Sequence, residues 1–197
     1  MMKSLHPEVL ALKQALALTG WQFRIRELQR TFALSLEVLE ARLQDADSIV
    51  RARWHLEPDD PIPPAEYDNE GRAAPDFFEE LEWLEHSVNA AIGQMRVSAV
   101  VALFHAFEQM MNAHRGETDF KMKESLDVLR KLGCIPDKDG LQVVRLAANA
   151  AKHGRGESAR KLQKRRPDLF SGDDLVLSDE TLKSFFQTVT TSLARPS

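Results

Sequence analysis

Apolar residues recur along this chain mostly at steps of three and four, the spacing that lines one face of an α-helix. From Pro7 to Thr19 the pattern predicts a first helix, opened by its proline and stopped at Gly20. From Trp21 to Leu56, Ile25, Leu28, Phe32, Leu36, Leu39, Leu43, Ala46 and Val50 form one continuous stripe, with arginines and glutamates opposite. No Gly or Pro interrupts it, so the helix would exceed about 50 Å at 1.5 Å per residue. In a chain of 197 residues, a rod that long implies an antiparallel hairpin arm or a dimer-forming coil.

The segment 57–75 breaks the pattern with Pro58, Pro61, Pro63, Pro64 and Pro75, and with Asp59, Asp60, Asp68 and Gly71 between them. Proline at that density forbids helix and predicts an extended linker. A second long helix is expected from Asp76 to His114, carried by Phe77, Leu81, Leu84, Val88 and onward to Leu103, Phe107 and Met110. After Val97 it is apolar nearly all round, as suits a domain centre or an oligomer interface.

Shorter elements follow. A helix from Thr118 or Asp119 ends at Leu132 before Gly133. Another runs from Leu141 to His153 before Gly154, and a basic one from Ser158 to Arg166 before Pro167. Asp173–Leu177 reads as extended. Ser178 opens a final helix to about Ala194 with Leu182, Phe185, Phe186, Val189 and Leu193 as its buried stripe. The fold class expected is all-α, a bundle of long helices, dimeric. The expected organisation is an N-terminal helical arm over 1–56, an acidic Pro-rich loop over 57–75 and a helical domain over 76–197.

Composition narrows the classes of function. Hydrophobic residues are 43% and charged residues 28%, so the chain can bury a core without metal or disulfide support. Its single cysteine, Cys134, excludes a disulfide framework and makes a reducing cytoplasm the expected compartment. Lys13 and Gln14 interrupt the stretch Leu10–Leu18, and no small-residue cleavage pattern follows, so it reads as helix and not as a signal peptide. The longest strongly apolar run, Ala99–Phe104, is far short of the ~18 residues that span a bilayer, and no membrane partner is expected.

The net charge of -4 conceals two poles. Acids dominate from Glu57 to Glu85, where Arg72 is the one base. Bases dominate from Arg145 to Arg166, with Arg145, Lys152, Arg155, Arg160, Lys161, Lys164, Arg165 and Arg166 against the single acid Glu157. Such a segment is a solvated face or a contact for phosphate. It lacks interleaved aromatics for base stacking.

Within the basic pole, Asn149 and His153 are four apart on one helix face. Lys152, His153 and Arg155 sit at that helix's C-terminus, where cations suit the dipole. The structural reading is that Asn and His satisfy backbone groups or a symmetric interface. The functional reading begins with the run Asn149-Ala-Ala-Lys-His153-Gly, which resembles the C-terminal helix of the HEPN superfamily. The segment Phe104-His105-Ala106-Phe107-Glu108 is similar to that family's central helix. The likeness covers about Asp76–His153.

This resemblance implies an all-α, dimeric protein of prokaryotic defence or toxin–antitoxin type that cleaves or binds RNA, without metal or other cofactor. Asn149 and His153 match the family's polar residue and histidine, but Ala148 stands where the family carries arginine. Arg145, two turns before His153, is the nearest replacement. The catalytic candidates are therefore His153, Asn149 and Arg145. The candidate RNA- or anion-binding residues are Lys152, Arg155, Arg160, Lys161, Lys164, Arg165 and Arg166. In the implied reaction a 2′-hydroxyl attacks the adjacent phosphodiester. Imidazole's ordinary pKa of about 6.5 suits both base and acid work, and two copies across a dimer seam supply the pair. The partners expected are a second copy, RNA and a protein encoded nearby. The alternative is a non-enzymatic helical interaction module.

Other chemistry is poorly represented. Asn-Ala-x-Lys-His is also similar to the N-box of histidine-kinase-type ATPases, but the Asp-x-Gly-x-Gly box and the sheet of that fold are missing. Glu82, Glu85, His86, His105 and Glu108 crowd one helix without the Glu-x-x-His pairs that a di-metal bundle needs. No metal site is expected, and Cys134 reads as a free, inert thiol.

Overall fold

A computed structural model of the chain describes residues 7–65 and 76–196. The architecture is all-α. Seven helices are described: α1 (Pro7–Gln44), α2 (Ala46–Arg53), α3 (Phe77–Arg115), α4 (Met122–Lys131), α5 (Lys138–His153), α6 (Glu157–Arg165) and α7 (Asp179–Ser192). A 3-10 turn, Pro167–Leu169, leads into a two-stranded antiparallel hairpin, β1 (Phe170–Ser171) and β2 (Asp174–Leu175). This hairpin is the only sheet among the described residues. Asp68, Gly71, Arg72 and Pro75 of the expected loop lie outside those residues.

Gly20 does not stop the first helix. α1 runs through it unbroken to Gln44. A glycine ends a helix when it takes the left-handed position beyond the last turn, and Gly20 has no positive φ. In mid-helix it costs only about 1 kcal/mol relative to alanine, which the flanking turns outweigh. The expected arm from Trp21 to Leu56 is instead interrupted at Asp45 and resumes as α2, which ends at Arg53.

The chain forms two compact units, divided inside α1 and α3 rather than at the loop. One comprises residues up to Phe32 and from Arg96 onward; the other is Ala33–Met95. In the smaller unit Leu36, Ala46, Val50, Phe77, Leu84 and Val88 are buried. Trp54 meets Phe77 edge-on at 6.1 Å, and the Arg51 guanidinium lies 5.7 Å above the Phe77 ring. Arg51 also donates to the carbonyls of Glu57 and Asp60, which ties the start of the proline-rich stretch to α2.

The larger unit is built on the second part of α3, where Ala99, Val100, Leu103, Phe104, Phe107 and Met111 are buried. By length and composition α3 is apolar enough to cross a membrane, with a mean hydropathy of 1.4 in its best window. The expectation from its short uninterrupted run did not reveal this. Within α3, Phe104 and Phe107 pack against Phe120 at 5.4 and 6.0 Å.

α7 follows its expected course. The Ser178 hydroxyl accepts from the Thr181 amide, and Leu182, Phe185, Phe186, Val189 and Leu193 are all buried. α5 packs on both α6 and α7 and presents its opposite side to solvent.

Candidate functional site

α5 starts at Asp137, whose carboxylate accepts from the Gly140 amide at 2.9 Å. It ends at Gly154, which takes φ 63°. Leu141, Val144, Ala147 and Ala148 are wholly buried. On the other side Arg145 and Asn149 are half-buried, and Lys152 and His153 are exposed. Because α5 is an unbroken helix through His153, Arg145, Asn149, Lys152 and His153 share that solvent-facing side. Arg145 and His153 are about 12 Å apart along the axis at 1.5 Å per residue. Ala148, where the resemblance noted in the sequence would expect an arginine, is fully buried. An arginine there would point into the core, so Arg145 is the α5 arginine on the His153 side.

α6 follows after two glycines. Its buried side holds Ala159 and Leu162, and its exposed side presents Arg160, Lys161, Lys164 and Arg165. An open depression of about 450 Å³ is lined by Glu157, Arg160, Lys161, Gln163 and Lys164, all of α6. Gln163 donates to the Gly172 carbonyl at 2.9 Å, anchoring the β1–β2 turn to α6.

The structure divides the expected cations in two. Arg155 reaches Asp173 at 3.5 Å and Asp174 at 4.0 Å. Lys161 pairs with Glu157 at 2.6 Å. Arg166 grips Asp168 through Nε and Nη2, at 2.9 and 2.7 Å. Lys161 holds the Glu157 carboxyl below the usual carboxylate range. Arg166 does the same to Asp168, whose carboxylate in turn pushes the Arg166 pKa up. Arg145, Lys152, Lys164 and Arg165 have no acidic partner among the described residues, and Arg160 forms no ion pair but adds weakly to the pull on the Glu157 carboxylate.

Asp168, Asp173 and Asp174 did not figure among the site candidates. Asp168 is two residues from Arg166, so adjacency alone was a signal. Asp173 and Asp174 reach Arg155 because the chain reverses at Gly172, which takes φ 63°. Arg155, Asp173 and Asp174 help line a cavity of about 220 Å³ whose apolar walls include Val97, Ala150, Ala159 and Phe170.

The histidines and glutamates of α3 gather no metal site: no group of three or more ligating side chains forms among the described residues. His105 is instead held in a polar chain. Arg24 donates to Gln109 Oε1 at 2.8 Å, which directs the Gln109 amide nitrogen at His105 Nε2, 2.9 Å away. The other ring nitrogen, Nδ1, faces Glu108 at 3.7 Å.

No family model matches the chain, and neither a curated protein nor a solved structure is similar to it.

Proposed function

We propose that this protein binds RNA through its phosphate backbone, as an HEPN-like component of a prokaryotic defence or toxin–antitoxin system, and that His153 of two copies carries out cleavage. The observation behind this reading is the set of cations Arg145, Lys152, Arg160, Lys164 and Arg165. They stand on two helices that pack together, the first of which also carries the exposed His153, and none of the five forms an ion pair among the described residues. Charges held on helices contact phosphate with little further ordering, and each phosphate contact releases counterions. For cleavage, one imidazole takes the proton of the attacking 2′-hydroxyl as the oxygen–phosphorus bond forms. The other protonates the departing 5′-oxygen as its bond to phosphorus breaks. Arg145 supplies positive charge toward the phosphorane, and Asn149 orients the neighbouring imidazole or a phosphate oxygen.

The test has two arms. Binding of labelled RNA is titrated against salt for the native protein and for a variant with Lys152, Arg160, Lys164 and Arg165 changed to Gln. The native protein should bind with steep salt dependence and the variant should not; equal binding by both removes the reading. Total RNA is then incubated with native protein and His153→Ala. Cleavage by the native protein alone supports catalysis, whereas equal cleavage, or none, leaves binding without chemistry.

A second reading, the non-enzymatic interaction module, has its own observation. Within the larger unit α1 is apolar on two opposite sides. Leu18 and Ile25 are buried, while Leu12, Leu16 and Phe23 are 61%, 64% and 63% exposed at helical spacing. An exposed apolar stripe of this kind marks a surface for another helix. Self-association abolished by Leu16→Glu with Phe23→Glu, together with no salt-dependent RNA binding, would favour it.

A further inference from the structure

Small side chains leave a cavity where α5 and α6 meet the hairpin. Ala150 and Ala151, near the end of α5, line it together with Ala159 of α6. Phe170 and Leu175 line it from the hairpin, where they stand opposite each other in the β1–β2 register and so share one face. The bond from Gln163 to the Gly172 carbonyl, at 2.9 Å, holds that hairpin to α6. The cavity, about 220 Å³, is smaller than the ~300–1,000 Å³ of sites for drug-sized molecules.

Its mouth carries both signs of charge. Arg155, Asp173 and Asp174 line the cavity with side chains that are 73%, 64% and 83% exposed. Arg155 faces Asp173 at 3.5 Å and Asp174 at 4.0 Å, both beyond the ~2.7–2.9 Å of a charge-assisted hydrogen bond. By contrast Arg53 and Glu80 close to 2.6 Å, Arg96 and Asp179 to 2.8 Å, and Arg166 and Asp168 to 2.7 Å. The charges at the mouth are therefore juxtaposed but not locked together, and an exposed pair costs little to open. A ligand with only a positive group would meet Arg155. One with only a negative group would meet two carboxylates. A ligand that carries both is attracted at each end: a carboxylate suits the guanidinium fork, an ammonium suits the two aspartates, and an apolar side chain suits the walls.

We infer that this cavity binds a free α-amino acid with an aliphatic side chain. Its carboxylate lies on Arg155, its ammonium on Asp173 and Asp174, and its side chain against Ala150 and Phe170. The inference does not depend on RNA binding. Saturation-transfer NMR of the full chain with L-leucine tests it, and saturable binding with the strongest transfer to the leucine methyl groups is expected. Leucinamide lacks the negative charge and N-acetyl-leucine lacks the positive one. Each should bind at least about tenfold more weakly than leucine, a loss of ~1.4 kcal/mol. Arg155→Gln, and separately Asp173→Asn with Asp174→Asn, should weaken leucine binding by about the same factor. All three positions are exposed, so the helical circular dichroism spectrum should not change. Ala151→Phe fills the cavity and should abolish binding. The inference is overturned if the native protein shows no saturable leucine binding. It is equally overturned if either analogue binds as tightly as leucine, or if any of these variants binds leucine as tightly as the native protein.

Discussion

Ala148 is wholly buried in α5, and its neighbour Asn149 is partly open to solvent. One residue step along the helix thus separates the core from the candidate site. An arginine introduced by Ala148→Arg would therefore place a guanidinium in the core and not beside His153. Overpacking alone costs about 1–3 kcal/mol, and an unpaired buried charge adds to it. At this chain length the expected fall in Tm is at least about 5 °C, with no gain in RNA cleavage. Thermal melts followed by circular dichroism check this. A Tm within about 1 °C of the native value would mean that position 148 has room for the side chain.

Glu80 joins two elements of the smaller unit. Its carboxylate accepts from Arg53 at 2.6 Å and from the Trp54 indole at 2.8 Å. Arg53 first, and Trp54 second, hold its pKa below the usual 4.5. A carboxyl depressed in the folded state stabilises the fold above its unfolded pKa, and that contribution disappears as pH falls through the folded value. Glu80→Gln should therefore be less stable than the native protein at neutral pH, and the gap should close in acid. Urea midpoints read by tryptophan fluorescence at about pH 7 and pH 3 measure it. A gap of the same size at both would refute the linkage.

What was legible in the sequence is what local chemistry decides. Ser178 caps α7, and Gly133 and Gly154 follow α4 and α5 with φ of 84° and 63°. Each signal lies within a turn of the boundary it sets. The helix face shared by Arg145, Asn149 and His153 was legible too, because helical period alone fixes it. Gly20 misled because the same residue type serves as a stop or as a tolerated interior position, and only its φ distinguishes them. The pairing of Arg155 was not legible, since Asp173 reaches it only after the reversal at Gly172. The exposed side of α1 was hidden for a related reason. Leu16 and Phe23 are as apolar as Leu18 and Ile25, and only packing shows which pair is covered.

Cys134 lies just beyond α4 and is buried. Burial pushes its thiol pKa up, and the nearby Arg195 offsets this in part. The thiolate is the reactive form, so the native protein should react with a disulfide reagent at about pH 8 far more slowly than a free thiol does. In denaturant a single equivalent should react at once. Rapid stoichiometric labelling of the native protein would contradict the burial of Cys134.

Two helical glycines should respond to alanine in opposite directions. Gly20 lies inside α1, and a Cβ built on it meets nothing within 4 Å. Gly20→Ala should therefore stabilise by about 0.5–1 kcal/mol, through the lower backbone entropy of the unfolded chain and alanine's better helix propensity. Gly140 lies in the first turn of α5, where a Cβ would collide with the Asp137 carboxylate and come within 2.7 Å of Thr188 Cγ2 on α7. Asp137 is also the side chain that caps α5 by accepting from the Gly140 amide. Gly140→Ala must displace that cap, at about 1 kcal/mol, or push α5 and α7 apart. Either cost outweighs the gain in propensity, so the variant should be less stable than the native protein. Urea midpoints of the two variants, measured side by side, test the contrast directly. Shifts in the same direction would show that the close contact of Gly140 with Asp137 and Thr188 does not constrain the fold.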